Sequence, residues 1–316
     1  MKKILRFLKI IGSVILILSI IISVLFGYRD IPINDLKEKY AQKPSSFTNI
    51  KGIDVHFRDE GENIDTIPIV LIHGTGSSLH TFDDWAKKLK DKYRIIRMDL
   101  PGYGLSGPFP EGNYTIDNYI SFIKMFLDEL GVEKCIIGGN SLGGNIAWRF
   151  TLENNKMVEK LLLIDASGYP MKSKSTPLAF KIAETPILKN IFTFITPKFV
   201  ARSSVENVYF DKNKVTDELA NRYFELTLRK GNRQAFIDRL SIKTSSEYHK
   251  KIPNIKQPTL VLWGNEDLLI PLENAKKFQQ DLPNNNLVIL KNTGHVPMEE
   301  NPIISLEIFE QFLNQE

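Results

Sequence analysis

Residues 138–144 read Gly-Gly-Asn-Ser-Leu-Gly-Gly, set between the apolar run Lys134–Ile137 and a helix-like run carrying Ile146, Ala147, Trp148 and Phe150. A serine raised on a sharp strand-to-helix turn sits in a strained backbone. Its neighbours two residues before and after must then lack a β-carbon so that the turn can close. Gly139 and Gly143 meet that need around Ser141. The rival is a dinucleotide-binding Gly-x-Gly-x-x-Gly loop, which needs glycine where Asn140 stands in the frame starting at Gly138. Ser141 is the candidate nucleophile.

A serine hydroxyl is a poor nucleophile at neutral pH and needs a general base with an orienting acid. Of five histidines, His295 stands in Asn292-Thr293-Gly294-His295-Val296-Pro297, after the last expected strand and after the late acid candidates. His249 and His80 read as surface residues, His56 as structural, and His73 as a brace for the loop that follows it. The acid is expected just past a strand. Asp267, in Trp263-Gly264-Asn265-Glu266-Asp267, lies 28 residues before His295. Glu266 would point elsewhere if Asp267 faces the histidine. Asp165 is the alternative, but the loops of Asp267 and His295 leave neighbouring late strands. The oxyanion of a tetrahedral intermediate needs preorganised N–H donors. Leu142 supplies one, and Thr75, in His73-Gly74-Thr75-Gly76, the other. No metal or organic cofactor is implied. The single cysteine, Cys135, reads as a core residue and excludes an intrachain disulfide or a cysteine-based zinc site.

These residues must be held by a scaffold. Phe47 to Asp59 alternates as a β-hairpin around Lys51-Gly52. Buried strands are expected at Pro68–Ile72, Arg94–Met98, Lys134–Ile137, Leu161–Ile164, Thr259–Trp263 and Leu287–Leu290. Between them, Thr115 caps a helix whose 3.6-residue period runs from Ile116 to Leu130, and Gly131 stops it. Strands that are apolar throughout and alternate with helices imply a mostly parallel sheet covered on both faces. Ligand chemistry in such sheets gathers at the C-terminal strand ends, and His73, Asp99, Ser141, Asp165 and Asp267 all lie at or just past such ends. Residues 169–252 offer no buried strand, only helix-like pieces such as Leu219, Tyr223 and Leu226, broken by Pro177, Pro186 and Pro197. They are expected to form a helical lid over a core of 47–168 and 253–316. Phe192, Phe194, Ile195 and Phe199 are shared between packing the lid and lining an apolar pocket.

The first 46 residues differ. Ile10 to Gly27 is uncharged, preceded by Lys2, Lys3, Arg6 and Lys9. The expectation is a cytoplasmic basic tip and transmembrane anchor over 1–28, then a linker over 29–46. A cleaved signal peptide is the rival, but the end of the run lacks a good small-residue cleavage pattern. The basic flank places the N-terminus in the cytoplasm and the catalytic domain outside, as a single-pass protein of the cell membrane. Those four residues account for the whole net charge of +4, leaving the body balanced. That balance argues against nucleic-acid binding.

Five motifs now stand in order: His73-Gly74-Thr75-Gly76, Asp99-Leu100-Pro101-Gly102-Tyr103-Gly104-Leu105-Ser106, Gly139-Asn140-Ser141-Leu142-Gly143, Trp263 to Asp267 with Pro271, and Gly294-His295-Val296-Pro297 followed by Glu300 and Pro302. From Phe47 to the C-terminus the chain resembles the lid-bearing, single-domain α/β-hydrolase-fold family, esterase- and lipase-like. The resemblance implies an α/β-hydrolase fold with a helical lid inserted before the last strands, and the chain order nucleophile, acid, histidine for Ser141, Asp267 and His295. It says little of substrate. Ser141 stands where haloalkane dehalogenases and epoxide hydrolases carry aspartate. Ser77-Ser78 stand where carbon–carbon-bond hydrolases tend to carry proline-glycine, and Leu142 where proline iminopeptidases usually have tryptophan. The expected activity is hydrolysis, through an acyl-enzyme, of a small-molecule or lipid-like carboxylic ester by a membrane-anchored serine hydrolase. The alternatives are a non-catalytic receptor or scaffold on this fold and an acyltransferase using the same triad.

Overall fold

In the computed structural model, which describes residues 2–61, 67–242 and 247–315, the alternation of apolar runs resolves into one eight-stranded sheet. Its strands are β1 (Ser45–Ile50), β2 (Ile53–Glu60), β3 (Ile69–Ile72), β4 (Ile95–Met98), β5 (Cys135–Asn140), β6 (Val158–Ile164), β7 (Thr259–Gly264) and β8 (Asn285–Leu290). They lie in the order β1-β2-β4-β3-β5-β6-β7-β8. β2 runs antiparallel to β1 and β4, and the pairs from β4 to β8 are parallel. Ile50 pairs with Ile53, and Lys51 and Gly52 between them have φ of 49° and 81°. That is the two-residue turn whose twist suits a hairpin. The central strands β3, β4, β5 and β7 are buried along their whole length. β8 closes one edge, and only Leu290 at its end is buried rather than the whole run.

The helices, in chain order, are α1 (Lys2–Phe26), α2 (Ile33–Tyr40), α3 (Asp83–Leu89), α4 (Ile116–Glu129), α5 (Leu142–Glu153), α6 (Leu178–Glu184), α7 (Pro186–Phe192), α8 (Lys198–Val208), α9 (Asp217–Thr227), α10 (Asn232–Ser241), α11 (Glu273–Asp281), α12 (Pro297–Glu300) and α13 (Pro302–Leu313). The period-2 geometry of a strand sends alternate side chains to opposite layers. Val70 and Ile72 join the core packed by α4, α5 and α11. Ile69 and Leu71 join the core packed by α3 and α13, with Trp85 stacked on Phe309. Thr115 Oγ1 caps α4 by accepting the Asn118 N–H, and Gly131 follows its end with φ of 65°. Between β6 and β7 the chain is helical, from α6 to α10. There Pro177 and Pro197 directly precede α6 and α8, and Pro186 is the first residue of α7. These prolines start helices, because a missing N–H costs nothing in a first turn.

The N-terminal expectation is overturned. Among the described residues no helix is long and apolar enough to cross a membrane. α1 takes the four basic residues into itself and stops at Phe26. Its uncharged part, Ile10–Phe26, is 17 residues long, about 25 Å at 1.5 Å per residue, against a hydrocarbon core about 30 Å thick. The transmembrane anchor falls, and with it the single-pass cell-membrane placement and the cytoplasmic N-terminus with an extracytoplasmic domain, and the membrane as a partner loses its support. The following segment folds onto the body. Phe26 meets Phe199 edge to face, the Ile31 N–H donates to Leu228 O at 2.9 Å, and Arg233 pairs with Asp30 at 2.6 Å. α2 buries Leu36 against Leu105 and Leu226 and ties Lys39 to Glu225 at 2.8 Å.

Leu36 is thus the fully buried apolar side chain of α2 in a small cluster with Leu105 and Leu226. Leu36→Ala is expected to cost about 2–3 kcal/mol, read as a lower urea midpoint with an unchanged slope.

Candidate active site

Ser141 sits between β5 and α5 with φ 56° and ψ −112°, a conformation that L-residues with a β-carbon rarely adopt. The close approach of backbone on both sides explains its neighbours. A β-carbon on Gly139 would lie 2.6 Å from Ile72 O, and one on Gly143 would lie 2.1 Å from the same atom. The end of β3 therefore presses directly on the turn. The loop after β3 packs against the nucleophile as well, since a β-carbon on Gly74 would come within 3.2 Å of Ser141 Cβ.

His295 lies in the loop between β8 and α12, buried, with its Nδ1 2.7 Å from Asp267 Oδ2. Asp267 Oδ1 accepts the N–H groups of Leu269 and Ile270 at 2.8 and 2.9 Å. The carboxylate is thus fixed by two amides and presents its other oxygen to the imidazole. The two loops are joined to each other, because the Glu266 N–H donates to Thr293 O and the Asn265 N–H to Leu290 O. Ser141 and His295 line one cleft, and no hydrogen bond joins the hydroxyl to the ring among the described residues. Such bonds are often long in unliganded enzymes. The Leu142 N–H opens α5, where a first-turn donor has no intrahelical acceptor, and the Thr75 N–H also has no acceptor among the described residues. Thr75 lines the cleft beside Ser141.

The cleft encloses about 810 Å³, part of it open to solvent. Its walls come from the loop after β3, the helices between β6 and β7 and the loop after β7, with Phe180, Phe192, Val200, Phe236 and Leu269 as the main apolar surface. Tyr223 and Ser77 form a polar corner. The two hydroxyls are 3.2 Å apart, and Tyr223 donates to Glu299 at 3.0 Å. Of the aromatic run, Phe192 lines the cleft, whereas Phe194 and Phe199 are 74% and 57% exposed.

The other histidines fall elsewhere. His73 Nδ1 meets Gly74 O at 2.8 Å, and its Nε2 accepts the Leu100 N–H at 2.9 Å. Burial lowers its pKa, so it braces the loop as a neutral ring. His80 is buried rather than exposed, bonded to Tyr40 O at 2.9 Å, and burial pulls its pKa down to about 4. α2 supplies that carbonyl, a contact invisible in the local sequence. His56 joins Asp99 at 2.7 Å and Ser45 Oγ at 2.8 Å, a second Ser-His-Asp chain. Ser45 lies in β1 and not on a turn, its Oγ already accepts Arg58 Nε at 3.0 Å, and it lies outside the cleft. Burial alone would raise the Asp99 carboxyl, yet the neighbouring His56 ring holds it well below the usual range. This pair is scaffold. Asp165 directly follows β6 and lies beside Asp267, but His295 bonds Asp267.

Two contributors escaped the sequence reading. Asn140 Nδ2 donates to His295 O at 2.9 Å and to Ile164 O at 3.2 Å, tying the elbow to the histidine loop. Glu300, buried, accepts the Gly294 N–H at 2.6 Å and the Asp211 N–H at 2.7 Å. It stands in the quoted histidine motif, and a buried carboxylate so placed was the available signal.

The α/β hydrolase fold family matches residues 67–302. The uncharacterized hydrolase YugF of Bacillus subtilis is 27% identical over 273 residues, covering 86% of this chain and 99% of that one. A 2-hydroxy-6-oxononadienedioate/2-hydroxy-6-oxononatrienedioate hydrolase of Pseudomonas putida is 27% identical, covering 77% of this chain and 85% of its own length. The meta-cleavage product hydrolase of Pseudomonas fluorescens IP01 superposes with a TM-score of 0.73 at 25% identity, covering 85% of this chain and 97% of that one. Oxodienedioate and meta-cleavage product hydrolases thus stand among the proteins this chain is similar to. With an eight-stranded, mostly parallel sheet and a family match across three-quarters of its length, the chain belongs to the α/β hydrolase fold family.

Proposed function

We propose that the chain is a serine hydrolase that cleaves neutral, apolar carboxylic esters through an acyl-enzyme. The observation that carries this reading is the buried 2.7 Å contact between His295 and Asp267, with His295 and Ser141 facing the same cleft. In this reading Ser141 Oγ attacks the acyl carbonyl while His295 Nε2 takes its proton, and Asp267 holds the ring in the required tautomer. The Leu142 and Thr75 N–H groups receive the developing oxyanion. His295 then returns the proton to the departing alkoxide. Water, activated by the same ring, attacks the acyl-enzyme, and Ser141 leaves as the hydroxyl. The helices from α6 to α10 act as a lid that supplies the acyl-binding wall.

The choice of ester over carbon–carbon bond rests on charge. The relatives' dioate substrates are dicarboxylates, and a carboxylate taken from water needs a paired cation or several donors. No lysine or arginine lines the cleft among the described residues, and Phe180, Phe192, Val200 and Phe236 make its far wall apolar.

A fluorophosphonate probe is expected to label the full-length protein, and Ser141→Ala to lose both the label and about 10⁶-fold in kcat. Retained labelling in that variant removes Ser141 from the mechanism. In a series of aryl esters, uncharged aliphatic acyl groups are expected to exceed succinyl half-esters by at least about tenfold in kcat/KM. Equal rates, or turnover of a dienedioate above any ester, would reverse the assignment of substrate class.

A further inference from the structure

Behind His295 and Asp267 stands a second carboxyl that the proposed reaction does not use. Asp165 directly follows β6, with φ of 42°, and is fully buried. Its Oδ1 accepts the Gly264 N–H at 3.0 Å, while its Oδ2 meets no N–H or O–H donor among the described residues. One oxygen of Asp165, one of Asp267 and one ring nitrogen of His295 all lie within 4.8 Å of one another.

A carboxylate has about four acceptor positions. On Asp267, the Leu269 and Ile270 amides and His295 Nδ1 occupy three. The position left over is open to Asp165. Two carboxyls sharing a site without water do not both ionise, so one proton stays with the pair. Asp267 has three donors to stabilise a negative charge and Asp165 has one, which assigns the proton to Asp165. We propose that Asp165 is a neutral carboxylic acid whose Oδ2–H donates to the Asp267 carboxylate, fixing the oxygen that faces His295.

The groups facing Asp165 agree. They are Asp267 and the Gly264 N–H from the end of β7 and the loop after it, His295 from the loop after β8, and Glu300 at the end of α12. Burial first, then the adjoining Asp267 charge, push the Asp165 carboxyl well above its ordinary range, and Glu300 adds in the same direction. Asp165 is in this view a positioning residue. Its proton stays in place throughout the reaction and no bond to substrate forms.

The role in turnover rests on the serine-hydrolase reading; the protonation state does not. The test uses the full-length protein and Asp165→Asn, which keeps a neutral donor and tolerates a left-handed backbone. At pH 7 the infrared spectrum of the wild type is expected to hold a protonated-carboxyl band that Asp165→Asn lacks; absence of that band overturns the proposal. The unfolded chain releases this proton near the ordinary value of 3.8, whereas the folded chain keeps it. Wild-type stability therefore falls, relative to Asp165→Asn, as pH rises above about 4 until the folded-state value is reached. A stability difference that is flat with pH also overturns it. In kinetics, Asp165→Asn is expected to stay within about threefold of wild type with an unmoved acid limb in kcat/KM, and Asp165→Ala to lose about tenfold. Were Asp165 ionised, Asp165→Asn would remove a negative charge beside the base and shift that limb to lower pH. Failure of probe labelling would sink the hydrolase reading and leave the infrared band standing.

Discussion

A serine at φ 56° is tenable only where surrounding backbone over-determines it. Here the constraint comes from β3, whose last carbonyl, Ile72 O, lies where β-carbons on Gly139 and Gly143 would be. That crowding sets several features together. It brings β3, β5 and the start of α5 into direct contact. It also draws the loop after β3 onto the nucleophile. The strain is held by the rigid centre of the sheet, where β3 and β5 are wholly buried.

The remaining parts are locked by polar contacts between loops rather than by apolar packing. Asn140 links the elbow to His295, the Glu266–Thr293 bond links acid loop to histidine loop, and Glu300 ties the histidine loop to the helices above it. Buried polar groups of this kind are expensive unless fully paired. Loops from β5, β7 and β8 therefore hold one another in a single arrangement. Catalytic geometry of this sort gains from pre-set dipoles, because little reorganisation is then needed as charge develops.

How much of this was legible follows the range of the interactions. The sheet was readable because burial on both faces forces apolar runs, and the elbow because two backbone contacts force glycines at fixed spacing. The hairpin at Lys51-Gly52 announced itself through turn chemistry. Asp267 and His295 were readable as candidates from their places after late strands. Their pairing was readable too, from the expectation that their loops leave neighbouring late strands, and β7 and β8 do lie side by side. What failed was long-range. His80 is buried by Tyr40 from α2, a partner 40 residues away. The N-terminal run was judged by its uncharged length, its basic flank and its lack of a cleavage pattern, whereas the helix it forms stops at Phe26 and packs its end on Phe199. Asp165 was legible as an acid at a strand end but not as a neighbour of Asp267, and the role of Asn140 is defined by the carbonyls it meets across the sheet.

The strand-like segment after α1 is stitched to the same helices that wall the cleft. Ile31 bonds Leu228, Asp30 pairs with Arg233, and Tyr28 packs edge to face on Phe224. Arg233 also reaches Thr196, which lines the cleft. The roof and the leading end of the chain are therefore one mechanical unit. Any displacement of those wall helices must therefore either carry residues 28–31 along or break these ties.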